Sequence, residues 1–196
     1  MRIVIFETEL TLSVLANVIN IFLNEIKSNL EKLIGSDSNN IKTGVLSDFV
    51  KFTSGKAKTK NELSEMCERT PIPVYGGNGI NGYCAESLVT SDTVIIGRVG
   101  EYCGCVHRTN GPAWITDNAM YPGWINSRVT KNYLFLLLHA LKLNNYKSRT
   151  GQPLISQKVL NDIKVSIPSD DDQNKIFDSY ITEVSQFFGS MNIREC

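Results

Sequence analysis

Six residues in the middle of the chain carry the spacing of a nucleotide-binding loop. Residues 77–82 read GNGING, which fits the G-x-G-x-x-G pattern that holds the pyrophosphate of a dinucleotide cofactor. That chemistry needs a strand before the glycines, a helix opening at the third glycine and a crossover connection. Only ten residues separate Gly82 from the next strand-like segment at Thr93, too few for a crossover helix with its two loops. The two Asn-Gly pairs are typical of turns, so we predict no nucleotide cofactor.

A second group of reactive residues is Cys103-x-Cys105-x-His107. A structural zinc site would need a second, distant pair of ligands. The available candidates are Cys67, Cys84 and His139. Alternate residues of a strand share one face, so the spacing favours a packed strand face, and we predict no metal.

Cys103, His107 and Asp117 could also be drawn as a hydrolase triad. No nucleophile turn surrounds Cys103, and a chain with five cysteines and two histidines allows many such drawings. A small cytosolic cysteine hydrolase using Cys103 and His107 is the alternative from another functional class. The scarcity of catalytic groups favours a binding protein.

The charges of the chain are segregated although the net charge is zero. Residues 1–40 carry −2, residues 41–160 carry +6 and residues 161–196 carry −4. The basic middle includes KFTSGKAKTK at 51–60, with four lysines and no acidic residue. A basic region can neutralise phosphates and release their counterions, which favours a polyanionic partner.

Composition indicates a cytoplasmic globular protein. The 196 residues are 42% hydrophobic, enough for one domain with an appendage. The longest apolar run, at 133–141, is far shorter than a membrane span, and no secretory signal is recognisable. Five cysteines without framework spacing are typical of reduced thiols in the cytosol.

Two amphipathic segments frame the basic middle. Residues 11–34 predict a helix with apolar spacings of 3, 4, 3, 4 and 7, interrupted by one asparagine. Residues 169–196 predict a second helix with the same spacing, started by Ser169 or Asp170. Such narrow stripes favour coiled-coil packing, with each other or with another chain. The helix–helix seam comprises Leu12, Leu15, Ile19, Phe22, Ile26, Asn29, Leu33, Phe177, Tyr180, Val184, Phe187 and Met191.

The middle of the chain predicts an α+β domain with a curled, turn-rich sheet. Expected strands lie at 45–52, 72–75, 93–99, 103–107, 113–116 and 164–168. A buried helix is expected after a cap at Thr130, and a short one within 153–163.

Three stretches of this sequence resemble the DNA specificity subunit of type I restriction–modification systems. Residues 72–83 (IPVYGGNGINGY) are similar to a turn of its target recognition domain. Residues 93–106 (TVIIGRVGEYCGCV) and 114–122 (WITDNAMYP) are similar to a later segment of that domain. Residues 151–176 are similar to the end of the domain and the start of a conserved helix. The matching positions there are Gln152, Ile155, Ser156, Leu160, Ile163, Pro168, Gln173 and Ile176.

The resemblance implies an organisation and a set of partners. Residues 1–35 and 169–196 would be coiled-coil helices, and 36–168 one target recognition domain. A full subunit carries two such domains, so this chain corresponds to half a subunit. The implied role is non-catalytic: to read one half of a split site in double-stranded DNA and to dock methyltransferase and restriction subunits. A second half-specificity chain, expected to be an identical copy, would complete the site. A silent truncated fragment is the alternative within the family.

The resemblance also directs attention to residues that would contact DNA. The candidates for phosphate contacts are Lys51, Lys56, Lys58, Lys60, Arg98, Arg108, Arg128, Lys147 and Arg149. Near turns, Asn78, Asn81 and Gln152 could reach base edges.

Overall fold

A computed structural model describes residues 40–148 and 151–190, together with Ser28; at 183 and 187–190 it describes the backbone alone. The seam residues predicted between Leu12 and Leu33, as well as Met191 and the side chain of Phe187, lie outside the described residues. In the described parts of the chain, no helix has the length and apolar character that crossing a membrane requires.

Residues 40–148 and 151–190 contain nine strands and three α-helices, so the predicted α+β class is confirmed. The strands are β1 Lys42–Val45, β2 Val50–Ser54, β3 Ile72–Gly76, β4 Gly79–Cys84, β5 Val94–Gly97, β6 Val106–Arg108, β7 Trp114–Ile115, β8 Ala119–Ile125 and β9 Lys164–Ile167. The α-helices are α1 Lys131–Ala140, α2 Gln157–Asn161 and α3 Asp170–Ser190. Short 3-10 helices occupy Leu46–Asp48, Lys60–Glu62 and Leu143–Tyr146.

The two ends of the described domain meet in a small antiparallel sheet. β1 pairs with β9 over their whole length, with Lys42 opposite Ile167 and Val45 opposite Lys164. Because the strands are antiparallel, the start of β1 lies beside the end of β9. The chain therefore enters and leaves the domain at the same edge.

A four-stranded sheet has the order β2-β8-β5-β6 and carries Lys51 on β2 and Arg108 on β6. Its central strand β8 contains Pro122, which is unusual in a central strand because proline donates no ladder hydrogen bond. Pro122 pairs only with Phe52 of β2, next to a register shift between Lys51 and Phe52. β5 pairs with β8 only at Met120 and Ala119, so the proline lies beyond the two-sided part of the strand.

The GNGING segment forms a hairpin in the third sheet, whose order is β4-β3-β7. Gly79 has φ +101°, and β3 and β4 pair antiparallel on either side of the turn. A Cβ built on Gly97 of β5 would collide with the carbonyl oxygen of Gly77, so the hairpin and β5 touch backbone to backbone. The glycines therefore permit a close approach of two sheets. The turn predicted at Asn78-Gly79 is confirmed, whereas Asn81-Gly82, also predicted as a turn, lies inside β4.

The core lies under α1, whose Leu134 and Leu138 are fully buried. Thr130 caps this helix as predicted, with its hydroxyl accepting from the backbone N–H of Tyr133 at 3.2 Å. The hydroxyl of Tyr133, itself 1% exposed, donates to the carbonyl of Ser166 in β9 at 3.0 Å.

Several predicted boundaries were wrong. The strand expected over 45–52 is divided by the 3-10 helix, where the carboxylate of Asp48 accepts from the backbone N–H of Val45 at 3.0 Å. The strand expected over 103–107 begins only at Val106, because a turn with Gly104 at φ +92° precedes it. Cys103 and His107 therefore do not share a strand face. β4 and β8 were not predicted.

Candidate nucleic-acid interface

The lysine-rich loop after β2 is fixed to the sheets by its backbone. The N–H of Gly55 donates to Ala119 O at 3.1 Å, and that of Lys56 to Ile115 O at 2.9 Å. The indole N–H of Trp114 donates to Lys56 O at 3.0 Å. These bonds place the loop across β7 and β8 in one defined course.

Lysine and tryptophan side chains pair on this surface. Lys58 Nζ lies 3.7 Å from the ring centroid of Trp114, within cation–π range. Lys51 lies opposite Trp124 in the β2–β8 register, with its Nζ 5.7 Å from that ring. Trp124 is 46% exposed, so its ring is free to meet another planar group. The surface thus offers cations beside aromatic faces.

The end of the loop is closed by an acidic residue. Glu62 accepts hydrogen bonds from the backbone N–H and the hydroxyl of Thr59, both at 2.7 Å. These bonds hold the pKa of Glu62 below its ordinary value, with a smaller contribution from the charge of Lys58. Lys56 and Lys60, by contrast, are exposed and form no ion pair within the described residues.

The predicted arginines differ in the interactions that they already make within the protein. Arg108 donates to the carboxylate of Asp92 and to the side-chain oxygen of Asn132, both at 2.8 Å. Lys131 approaches the same carboxylate at 3.2 Å. Hydrogen bonding to Arg108 is the main cause that holds the pKa of Asp92 low. The ion pair with Asp92 neutralises the charge of Arg108, and the bond to Asn132 ties β6 to the start of α1.

The other predicted DNA contacts are spread over several loops. Arg98 is half-buried, and its guanidinium reaches the carbonyl of Asp117 at 3.5 Å. Arg149 lies outside the described residues. Besides the lysines described above, the exposed members of the predicted set are Asn78, Asn81, Arg128, Lys147 and Gln152.

Of the predicted cysteine and histidine cluster, Cys103 is buried and Cys105 and His107 are half-buried. Cys103 is 1% exposed, and its thiol donates to Arg98 O at 3.3 Å. Burial raises the pKa of Cys103 and lowers the pKa of His107, which disfavours a thiolate–imidazolium pair. No three His, Cys, Asp or Glu side chains in the described ranges come together as a metal site. The geometry gives the hydrolase alternative no support.

The aromatic partners of the lysines were not predicted from the sequence. Trp114 was noted only within a strand and a motif, and Trp124 was not singled out. The pairing of Lys51 with Trp124 depends on the register of β2 against β8, and that of Lys58 with Trp114 on the course of the loop across β7.

Three comparisons place this chain among known proteins. A model of the family described as Type I restriction modification DNA specificity domain matches residues 38–182. The chain is 32% identical to the Escherichia coli type I restriction enzyme EcoprrI specificity subunit in an alignment of 155 residues that covers 74% of this chain and 38% of that protein.

Solved structures share the fold. The S subunit from M. genitalium superposes with a TM-score of 0.69 at 20% identity, over 87% of this chain and 48% of that one. A chain from a study of the assembly and conformational transition of the type I R-M system has a TM-score of 0.64 at 15% identity, over 96% of this chain and 52% of that one. The HsdS subunit from Thermoanaerobacter tengcongensis has a TM-score of 0.58 at 15% identity, with 89% and 48% covered.

This chain spans about half the length of these solved relatives and 38% of the curated one. Because the family match covers most of the sequence, in the order expected from the motifs, the chain belongs to the type I restriction modification DNA specificity domain family.

Proposed function

We propose that this chain is a non-catalytic, cytoplasmic DNA-recognition subunit of a type I restriction–modification system. The observation that carries the proposal is the family match over residues 38–182. The half-length match to solved S subunits supports one recognition domain reading one half of a split site.

The DNA-facing surface is proposed to be the one that carries the loop 55–60 with Trp114 and Trp124. Lys51, Lys56 and Lys60 are exposed and would neutralise phosphates. The Asn78 amide, exposed at the hairpin tip, could reach a base edge. Arg108 is a weaker candidate for a phosphate contact, because the carboxylate of Asp92 already neutralises its charge.

The helical part of the proposal rests on the pairing of β1 with β9. Since the domain is entered and left at one edge, residues 11–34 and α3 can run side by side in opposite directions. Ile181 on α3 is 45% exposed and would lie in the contact with such a partner. A helix of 24 residues would span roughly 36 Å, close to one turn of duplex DNA. We propose that this coiled coil docks the methyltransferase and restriction subunits, and that a second copy of the chain supplies the other half-site.

Selection from a random duplex library tests the DNA-reading claim. The purified chain, alone and with its modification subunit, would be incubated with the pool, and bound duplexes would be sequenced. Enrichment of one short motif is the expected result, and two inverted copies at fixed spacing are expected if the chain pairs with itself. Retention of duplexes without any enriched motif would contradict sequence recognition. Loss of all binding, with folded protein and the modification subunit present, would favour the silent fragment.

A further inference from the structure

Gln173 is a polar side chain that is fully buried, with 0% exposure, in the first turn of α3. Its amide nitrogen donates to Arg128 O at 2.7 Å and to Pro168 O at 2.9 Å. Its amide oxygen accepts from the backbone N–H of Thr130 at 2.9 Å. Both donors and the oxygen are thus used, all on backbone groups.

The three partners belong to two separate segments of the recognition domain. Arg128 and Thr130 lie in the turn that leads into α1, and Thr130 is the residue that caps α1. Pro168 follows the end of β9. One side chain therefore joins the start of α3 both to the end of the domain and to the start of its central helix.

No other common side chain meets this requirement. A glutamate would present acceptors to two carbonyls, and a lysine would present no acceptor to the N–H of Thr130. A methionine of similar length would leave two carbonyls and one N–H buried without partners. Gln173 thus matches the donor and acceptor pattern of its site.

Apolar contacts continue the attachment along α3. Ile176, Phe177 and Tyr180 are half-buried against the core, whereas Ile181 is 45% exposed. Ser169 caps the helix, accepting from the backbone N–H of Asp172 at 3.3 Å. The polar attachment at Gln173 and the apolar one beyond it define a single direction for the helix.

We propose that Gln173 is a positioning residue that fixes the direction of α3 relative to the DNA-reading domain. Resting on the proposed function, this direction sets the separation at which two half-sites are held. A helix free to swing at its first turn would accept several separations. The amide therefore acts on spacing specificity through geometry, without touching DNA.

The distance between α3 and the recognition domain measures this directly. Spin labels would be attached at Ser185→Cys on α3 and Asn110→Cys on the domain, both exposed positions, in full-length protein. Cys67→Ser and Cys196→Ser would remove competing thiols, and dilution with unlabelled chain would restrict the signal to distances within one chain. The parent is expected to show one narrow distance distribution, and Gln173→Met is expected to lose it in favour of a broad one.

Tyr133→Phe is the matched control, because it also removes a buried hydrogen bond, to Ser166 O, that involves no residue of α3. It should lower the melting temperature and keep the narrow distribution. If Gln173→Met proves insoluble, Gln173→Asn, whose shorter side chain cannot span all three partners, should broaden the distribution in its place.

The proposal would be overturned by a Gln173 variant that folds, is less stable than the parent and gives a distance distribution as narrow as that of Tyr133→Phe. This readout needs no DNA, so it is independent of whether the chain reads a sequence. Where DNA recognition is established, Gln173→Met should also gain binding to half-sites with altered spacing, and unchanged spacing would contradict the second part of the proposal.

Discussion

Replacing the three lysines of the loop after β2 should flatten the salt dependence of DNA binding. The change is Lys56→Ala, Lys58→Ala and Lys60→Ala in one variant. The loop is held by backbone bonds from Gly55 and Lys56 to the sheets, so the substitutions remove charge without releasing the loop. The variant should bind more weakly at low salt and approach the parent at high salt.

The magnitude follows from the number of phosphates neutralised. Each contact contributes about 0.9 to the slope of log K against log salt, so three contacts contribute about 2.7. The Nζ of Lys58 already lies 3.7 Å from the ring centroid of Trp114, so Lys58 is the lysine least expected to contact a phosphate. With two contacts the change would be about 1.8. Between 50 and 200 mM salt, the parent should then lose about 12- to 40-fold more affinity than the variant.

Fluorescence anisotropy with a labelled duplex, measured across a salt series, gives both slopes. The matched control replaces Lys158, Lys164 and Lys175, which lie on α2, β9 and α3, and changes the net charge equally. Its slope should stay close to that of the parent. Equal slopes for the loop variant and the parent would refute the assignment, and an equal reduction in both variants would show a nonspecific effect of net charge.

Three further predictions concern single residues. Trp114→Leu removes the bond to Lys56 O and should weaken DNA binding at one fixed salt concentration without changing net charge; unchanged affinity would show that the ring has no role. Gly97→Ala should destabilise the fold by about 2 kcal/mol or more in urea unfolding, because its Cβ meets Gly77 O, and a stable variant would contradict that contact. Burial lowers the pKa of His139 from 6.5 to about 4, so the folded state binds fewer protons between these values. The free energy of unfolding should therefore fall by up to about 3 kcal/mol as pH drops from 6.5 to 4. His139→Leu should lose that part of the pH dependence; an identical pH profile would exclude His139 as its source.

The sequence predicted the helices and strands whose positions depend on neighbouring residues. Thr130 before an apolar run marked the start of α1, and Ser169 before three aspartates marked α3, since a cap and a helix dipole act within one turn. Ile72 and its β-rich neighbours marked β3. Each of these features depends on residues adjacent in sequence.

The features that were missed depend on distant partners. β8 was not predicted, since it contains Pro122 and Gly123, and only the fold shows why the proline is accepted: β5 pairs with β8 at Met120 and Ala119 alone. The turn before β6 depends on Gly104 at positive φ. The alternating spacing of Cys103 and Cys105 instead favoured a strand at these residues.

The residues of the candidate site also divide into those predicted from local sequence and those that depend on distant partners. Lysine composition marked the loop, but the pairing of Lys51 with Trp124 depends on the β2–β8 register. Arg108 is indistinguishable in sequence from a free arginine, and only the fold brings it to Asp92. Gln173 was noted for its place in a motif, while its role depends on three backbone groups that the fold gathers around it.

We propose that this chain determines where a modification subunit methylates DNA. To test this, the chain would be expressed with the neighbouring modification subunit, and methylated bases would be mapped across the host genome. New methylation is expected at one split motif only when the chain is present, with two identical inverted halves if two copies pair. Unchanged methylation, with both proteins soluble and the modification subunit active with another specificity subunit, would contradict the proposal.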